Sequence, residues 1–466
     1  MKKFSELNII EKLYSEQNIY LALYSVESFV SNKELLSEND LQELNKLKDK
    51  FDQKNITSWI KKVQNRLCEL IEKDEYLKAN VYFKPKKYDK EKDEIEFRPL
   101  HSATLLDQIT AVSLLNILIY DFDNENKISM SSLSRLIPDN FYGNKISNKP
   151  EKLFNSWQEQ YKKYTSTANE LYRKFHENGE YKWEVNLDIK NFFPSINPIC
   201  IYNYIFQQFS VIYSKEDLDM ISKILEKLIF VKINTMDKED LKLYTKDDSV
   251  ESCEFALGVA QGMPQAYFLA NIFMIEIEKI YKKIFDGEML FYVDDSVIFT
   301  DGINDIKDFG NKIDEINSEI KNLTEKLYKI NDKFNDEIKK FVEEKSELFK
   351  VEIHSPEEKS TISDIANSKE GEIYIHCIGR ETSKTALEIN KSFSDEESRM
   401  LYEKTNCILE AIERELKQVS EDLEKDNLED ANKIYKEAYK KKLIRYRKFF
   451  KNRNKDLAYR DKSDAN

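Results

Sequence analysis

The sequence predicts a mixed α+β chain with a small antiparallel sheet flanked by helices, and three observations carry that expectation. Strand-like arms of alternating character recur in "VYFKPKKYDKEKDEIEFRPL" from Val81, "YKWEVNLDI" from Tyr181 and "MLFYVDDSVIFT" from Met289. Segments of helical period separate them, such as "ITSWIKKVQNRLCELIEK" and "LLDQITAVSLLNILIYDF". Two long heptad-like stripes follow, at Ile306 to Phe334 and at Leu409 to Leu423.

A chain of 466 residues is long enough for two to four domains and a sizeable core. Its 41% apolar and 34% charged residues describe a charge-rich globular protein. No apolar run is long enough to span a membrane, and "MKKFSELNIIEKLYSEQ" has no signal-peptide pattern, so a cytoplasmic location is expected. The five cysteines, Cys68, Cys200, Cys253, Cys377 and Cys407, lack CxxC spacing, which suggests neither a zinc site nor a disulfide framework. The net charge of -13 argues against bulk nucleic-acid binding, but the segment from Lys440 to Arg460 concentrates Lys and Arg among aromatics.

The first eighty residues read as amphipathic helices without visible chemistry. From Val81 a basic hairpin precedes the apolar helix beginning at Leu105, and the polar connection "PDNFYGNKISNKPEK" leads to a helix near Trp157. The stripe Ile306, Phe309, Ile313, Ile316, Ile320, Leu323, Leu327, Ile330, Phe334 keeps spacings of three and four. Read as one helix it spans roughly 43 Å at 1.5 Å per residue, too long for a compact body to cover wholly. The second stripe, Leu409, Ile412, Leu416, Val419, Leu423, is equally narrow, so the two are expected to pair, within one chain or between chains.

Chemistry concentrates in three segments. In "MLFYVDDSVIFT", Asp294 and Asp295 lie side by side between two apolar arms. They could supply a polar hairpin turn. They could also hold a divalent cation, because neighbouring carboxylates repel unless a positive charge lies between them, and this reading needs a third carboxylate. Asp188, ending the strand in "VNLDIKNFFPSI", supplies one. Between them "GVAQGMPQAYFLANIFMIEI" sets Gly258, Gln261, Gly262 and Pro264 in a turn leading into a helix with Ala266, Ala270 and Asn271. In a chain with nine glycines, that Gly pair suggests close backbone approach.

In this order the three segments resemble motifs A, B and C of the reverse transcriptase palm: Asp188 with Phe193, then Gln261-Gly262 with Asn271, then Tyr292-Val293-Asp294-Asp295 as a "YxDD". "FRPLHSATLLDQI" resembles the fingers segment whose Arg, here Arg98, contacts the incoming triphosphate, and "HSPEEKSTI" resembles motif D with Lys359. The likeness runs from about Val81 to Arg380. It is closest to the bacterial unknown-group, defence-associated and abortive-infection reverse transcriptases, through "RPL" with "LLDQ", "FYGNK" at Phe141 to Lys145, "FLANIF" and "RYRKFFKNR". Ala260 stands where Pro is usual and Ala266 where Ser is common, and the fingers hairpin and the stretch between motifs C and D are extended.

The resemblance implies an α+β fingers-palm fold: an N-terminal helical region over 1–80, fingers over 81–180, palm over 181–303, a coiled-coil-like insertion over 304–348, palm completion over 349–385 and a helical, basic-aromatic, thumb-like region over 386–466. It implies DNA synthesis from dNTPs on an RNA template, with two Mg²⁺ ions, or Mn²⁺ in their place, roughly 3.5–4 Å apart. Asp188 and Asp294 would bridge the ions, Asp295 would complete the acidic cluster and the Ile189 carbonyl would add a neutral oxygen. Arg98 would grip the triphosphate with Lys84 or Lys86, while Phe192, Phe193, Gln261 and Gly262 would line the nucleotide and Lys359 would protonate the leaving pyrophosphate. Phe193, beneath the sugar, would collide with a 2′-hydroxyl, so the expected product is DNA. Asn271, Arg445, Arg447, Lys448, Phe449, Phe450 and Arg453 would contact nucleic acid, the last six by phosphate neutralisation and stacking. Expected partners are the RNA template, such as a dedicated non-coding RNA, the DNA product and a homo-oligomer or partner protein, with no membrane. A template-independent or protein-primed polymerase and a non-catalytic RNA-binding scaffold are the alternatives.

Overall fold

The computed structural model describes residues 7–30, 33–89, 94–122, 128–369, 372–373, 376–377, 380, 395–424, 433, 436–437, 439–441 and 443–452. Among these the strands are β1 (Lys78–Asp89), β2 (Glu94–Ala103), β3 (Tyr120–Phe122), β4 (Ile128–Met130), β5 (Trp183–Leu187), β6 (Lys232–Ile233), β7 (Gly287–Tyr292), β8 (Asp295–Thr300) and β9 (Thr361–Asp364), set among many helices. The mixed α+β expectation holds. The chain divides into two compact units: Met1–Asn155 with Lys190–Glu278 and Glu319–Glu352, and Ser156–Ile189 with Lys279–Ser318 and Ile353–Asn466. No helix among the described residues is long and apolar enough to cross a membrane.

In the first unit, the Leu105–Ile119 helix is apolar nearly all round and is accordingly buried on nearly every face. Its first turn is fixed by charge: Asp107 pairs with Arg66 at 2.7 Å and accepts the Lys78 N–H at 2.9 Å. Arg66 is held in turn by Glu69 and Glu75, so this buried pair has its remaining donors satisfied. From that anchor β1 runs antiparallel to β2, and β6 adds to β1 in parallel, giving the order β2-β1-β6.

The first heptad stripe is largely buried within the chain. Phe309, Ile313, Ile316, Ile320, Leu327 and Phe334 are all buried, and the helix covers only Ile306–Leu327, roughly 33 Å at 1.5 Å per residue. The single helix to Phe334 is therefore corrected. Within the first unit the Asn203 amide donates to the Leu327 and Lys329 carbonyls, each at 2.8 Å, and caps the chain there. Asn335 then caps a separate helix, Asp336–Glu344.

The second unit is built on a four-stranded antiparallel sheet of order β7-β8-β5-β9. The Trp157–Asn178 helix packs on it, with Phe175 against Phe299 and Tyr161 edge-on to Tyr292 at 4.9 Å. The second stripe, on the Asp395–Leu423 helix, packs with Leu443 and Phe450 of the basic segment and with partly buried Tyr439, Tyr446 and Phe449. Among the described residues of this cluster the C-terminal aromatics, and no residue of the first stripe, pack against the second stripe.

Candidate active site

Strand β5 carries Asp188 just past its last paired residue. Its register sets Leu187 against Ser296 of β8, and the next positions along that register are Asp188 and Asp295. Both line one cavity of about 620 Å³ in the second unit. Asp295 begins β8, paired with Tyr292 across a two-residue turn of Val293 and Asp294. Val293 adopts φ +59°, a costly conformation for a β-branched residue. Such strain persists where surrounding structure enforces it, here a hairpin wedged by Tyr161 and Tyr164 against Tyr292.

The Asp188 carboxylate is met by Lys359 Nζ at 2.8 Å, and its carbonyl accepts the His354 N–H at 2.9 Å. His354 Nε2 stands 4.0 Å from the same carboxylate, while its Nδ1 engages Glu358 at 2.9 Å. Ile189 is buried and bridges to Ile353, so the sequence after β5 is clamped on the stretch that delivers Lys359. Half-buried Asp294 lies outside the cavity lining, yet its charge reaches the Tyr281 hydroxyl together with that of Asp188. Burial first, and then those two carboxylates, push the Tyr281 phenol well above its ordinary range. Burial, Tyr161 and Asp295 push Tyr292 up to about 12.

Among the described residues no three His, Cys, Asp or Glu side chains gather closely enough to hold a metal ion. The oxygen-only donors still suit Mg²⁺, which binds through one or two carboxylates, its own waters and substrate phosphates rather than an all-protein cage. Lys359 meanwhile shows that Asp188 accepts a cation in this cavity.

Sequence reasoning missed the network behind Asp188. Glu184 is wholly buried, accepts from His376 Nε2 at 2.7 Å and from the Asn186 amide at 2.7 Å, and pairs closely with Arg380. Burial pushes its carboxyl up, but Arg380 and then His376 outweigh that and hold it well below the usual range. Arg380, Lys441, Tyr164 and Tyr446 line the Asp188 cavity together with the anticipated Arg445 and Lys359. The available signal was "WEVNLD", where Glu184, Asn186 and Asp188 alternate with apolar residues and mark one polar face of a strand.

In the first unit, Lys84 and Arg98 are exposed and directly opposite across β1 and β2, whereas Lys86 lies two residues on in β1, at the irregularity between Pro85 and Lys87. Phe192 and Phe193 are buried on the short Phe192–Ser195 helix, Phe193 edge-on to Tyr267 at 5.9 Å. The Gln261 carbonyl accepts the His101 N–H at 2.7 Å, and Gly262 at φ +110° lets that strand approach: a Cβ there would stand 2.4 Å from the His101 carbonyl oxygen. Asn271 is a correction. It is buried and its amide donates to the Gly143 and Asn144 carbonyls at 2.8 and 3.2 Å, so it ties down the "FYGNK" turn instead of meeting nucleic acid.

In the C-terminal segment Phe450 is also corrected: it is buried in the helix-pair core, which removes its face from base stacking, and Phe449 is partly buried beside it. Arg445 and Lys448 are exposed and Arg447 half-buried, while Arg453 falls outside the described residues.

A mixed α+β chain with carboxylates at the end of an inner strand and in the adjoining hairpin is a frame suited to nucleotidyl transfer. Residues 131–356 match the family model described as reverse transcriptase (RNA-dependent DNA polymerase). That span takes in β5, the Gly-rich turn and the acidic hairpin. It stops short of Lys359 and excludes the β1-β2 hairpin and the C-terminal helices. No curated protein matches the chain.

Proposed function

We propose that this chain is an RNA-directed DNA polymerase of the defence-associated bacterial class, and that Asp188, Asp294 and Asp295 are its metal-holding carboxylates. The observation that carries the reading is the meeting of Asp188, Asp295 and Lys359 in one cavity, with Lys359 on the Asp188 carboxylate. Mg²⁺ bound to these carboxylates would lower the pKa of the attacking 3′-hydroxyl and neutralise the leaving pyrophosphate. Lys359 is the proton donor to that pyrophosphate, since its ammonium already lies within hydrogen-bond reach of Asp188. Arg98 and Lys84 grip the triphosphate; like charges directly opposite on a hairpin are unfavourable until an anion bridges them, which favours Lys84 over Lys86. Phe193 supports the sugar pocket from within the fold and excludes ribonucleotides by size.

The test is incorporation of labelled dNTPs on an RNA template with a DNA primer, with and without divalent metal. Product that requires both RNA and Mg²⁺ supports the reading. Incorporation that persists in a chelator contradicts the metal assignment, and incorporation indifferent to template favours end-extension instead.

A further inference from the structure

The cavity that Asp188 and Asp295 line also takes in Arg380, Lys441 and Arg445, with Tyr164 and Tyr446 beside them. Lys441 and Arg445 both come from the basic C-terminal segment, four residues apart. Arg380 lies about sixty residues earlier in the chain and is held differently. Its side chain is only 11% exposed, one terminal nitrogen pairs with fully buried Glu184, and the other lies 3.5 Å from the Asn169 side-chain oxygen. Glu184 is itself fixed by His376 and by Asn186, and His376 stacks on Tyr172 with ring centroids 4.4 Å apart.

We infer that Arg380 is an anion-holding residue of this cavity, positioned by Glu184, and that the group it holds is a phosphate. A guanidinium carries five N–H donors in a rigid fork, so an edge engaged by Glu184 and Asn169 leaves others for a ligand. A buried carboxylate needs a cation, but a pair serving packing alone has no reason to stand at the wall of an open cavity beside three further cations, Lys359, Lys441 and Arg445. Glu357, Glu358 and Glu437 line the cavity as well, which keeps its overall charge mixed and makes the fork geometry of Arg380 the selective element. The inference rests on the polymerase reading only for the source of the phosphate, a nucleotide or a nucleic-acid strand.

The test uses the full chain without divalent metal, so that no turnover is needed. Binding of inorganic pyrophosphate is measured by calorimetry and that of a fluorescent single-stranded oligonucleotide by anisotropy. The variants are Arg380→Lys, which keeps the charge and loses the fork, and Glu184→Gln with Arg380→Gln, which removes both buried charges together. The expected result is binding at least tenfold weaker in a variant whose melting matches the wild type. Loss for pyrophosphate alone assigns the phosphate to a nucleotide, and loss for the oligonucleotide, alone or with pyrophosphate, assigns it to a strand. If the double variant fails to fold, Arg380→Lys decides by the same criterion. Wild-type affinity for both probes in a folded variant, or no binding of either by the wild type, overturns the inference. A wild type that binds but does not copy RNA would sink the polymerase reading and leave this one standing.

Discussion

Gly258→Ala should destabilise the first unit far more than the same change at another left-handed glycine. Gly258 has φ +60°, and an added Cβ would stand 2.1 Å from the Phe193 carbonyl oxygen and 2.6 Å from that of Pro194. Both obstacles are backbone, so no side-chain rotation relieves the contact. The left-handed conformation alone costs alanine about 1–2 kcal/mol. Separating the turn from the Phe192–Ser195 helix also strains the 2.9 Å hydrogen bond from Val259 N–H to the Phe193 carbonyl, at about 1 kcal/mol or more once the buried groups are left unpaired. The total is about 3 kcal/mol. Gly179 is the control: it has φ +67° with nothing within 4 Å of a built Cβ, so Gly179→Ala costs about 1 kcal/mol. The difference of about 2 kcal/mol is roughly a thirtyfold shift in the unfolding equilibrium, read from urea denaturation followed by circular dichroism. Equal losses in the two variants would refute the claim that the turn is pressed against the Phe193 backbone.

Phe193→Ala should lower the dNTP/rNTP preference at least tenfold, about 1.4 kcal/mol of discrimination. Because Phe193 is buried against Tyr267, the change also costs about 3–5 kcal/mol of stability, so the ratio is read on protein shown by circular dichroism to be folded. An unchanged ratio removes Phe193 from sugar choice. His101 lies between the Gln261 carbonyl and the Tyr244 hydroxyl, and burial pushes its pKa down to about 4. The unfolded chain therefore binds a proton below about pH 6.5 that the folded chain refuses, so up to about 3 kcal/mol of stability present above that pH is lost as it falls toward 4. His101→Gln should flatten the wild-type slope of unfolding free energy over that window, and an identical slope counts against the buried neutral histidine.

What the sequence showed and what it concealed divide along physical lines. Asp188, Asp294 and Asp295 stood out because strands have a period of two and carboxylates do not belong in apolar arms without cause. The opposition of Lys84 and Arg98 needed the register, which an irregularity between Pro85 and Lys87 shifts along the hairpin. Asn271 misled because one polar residue on an apolar helix has the same sequence signature whether it faces a ligand or two loop carbonyls. The heptad from Ile306 misled because its spacing survives a helix break: Asn203, more than a hundred residues away, caps the chain at Leu327. Arg380 and His376 were illegible because they join Glu184 only through tertiary contact. Phe450 illustrates the remaining ambiguity, since basic residues interleaved with aromatics read alike for a stacking platform and for the packed helix pair found here.

The most direct test of the central proposal is primer extension on RNA by Asp188→Asn and, separately, Asp294→Asn, with folding followed in parallel. Asp188 meets a half-exposed lysine, and such ion pairs are worth about 0–1 kcal/mol, so melting should barely move. DNA synthesis should fall to background in both variants while the wild type extends. Turnover at the wild-type rate in either folded variant would contradict the assignment of that carboxylate to the chemistry.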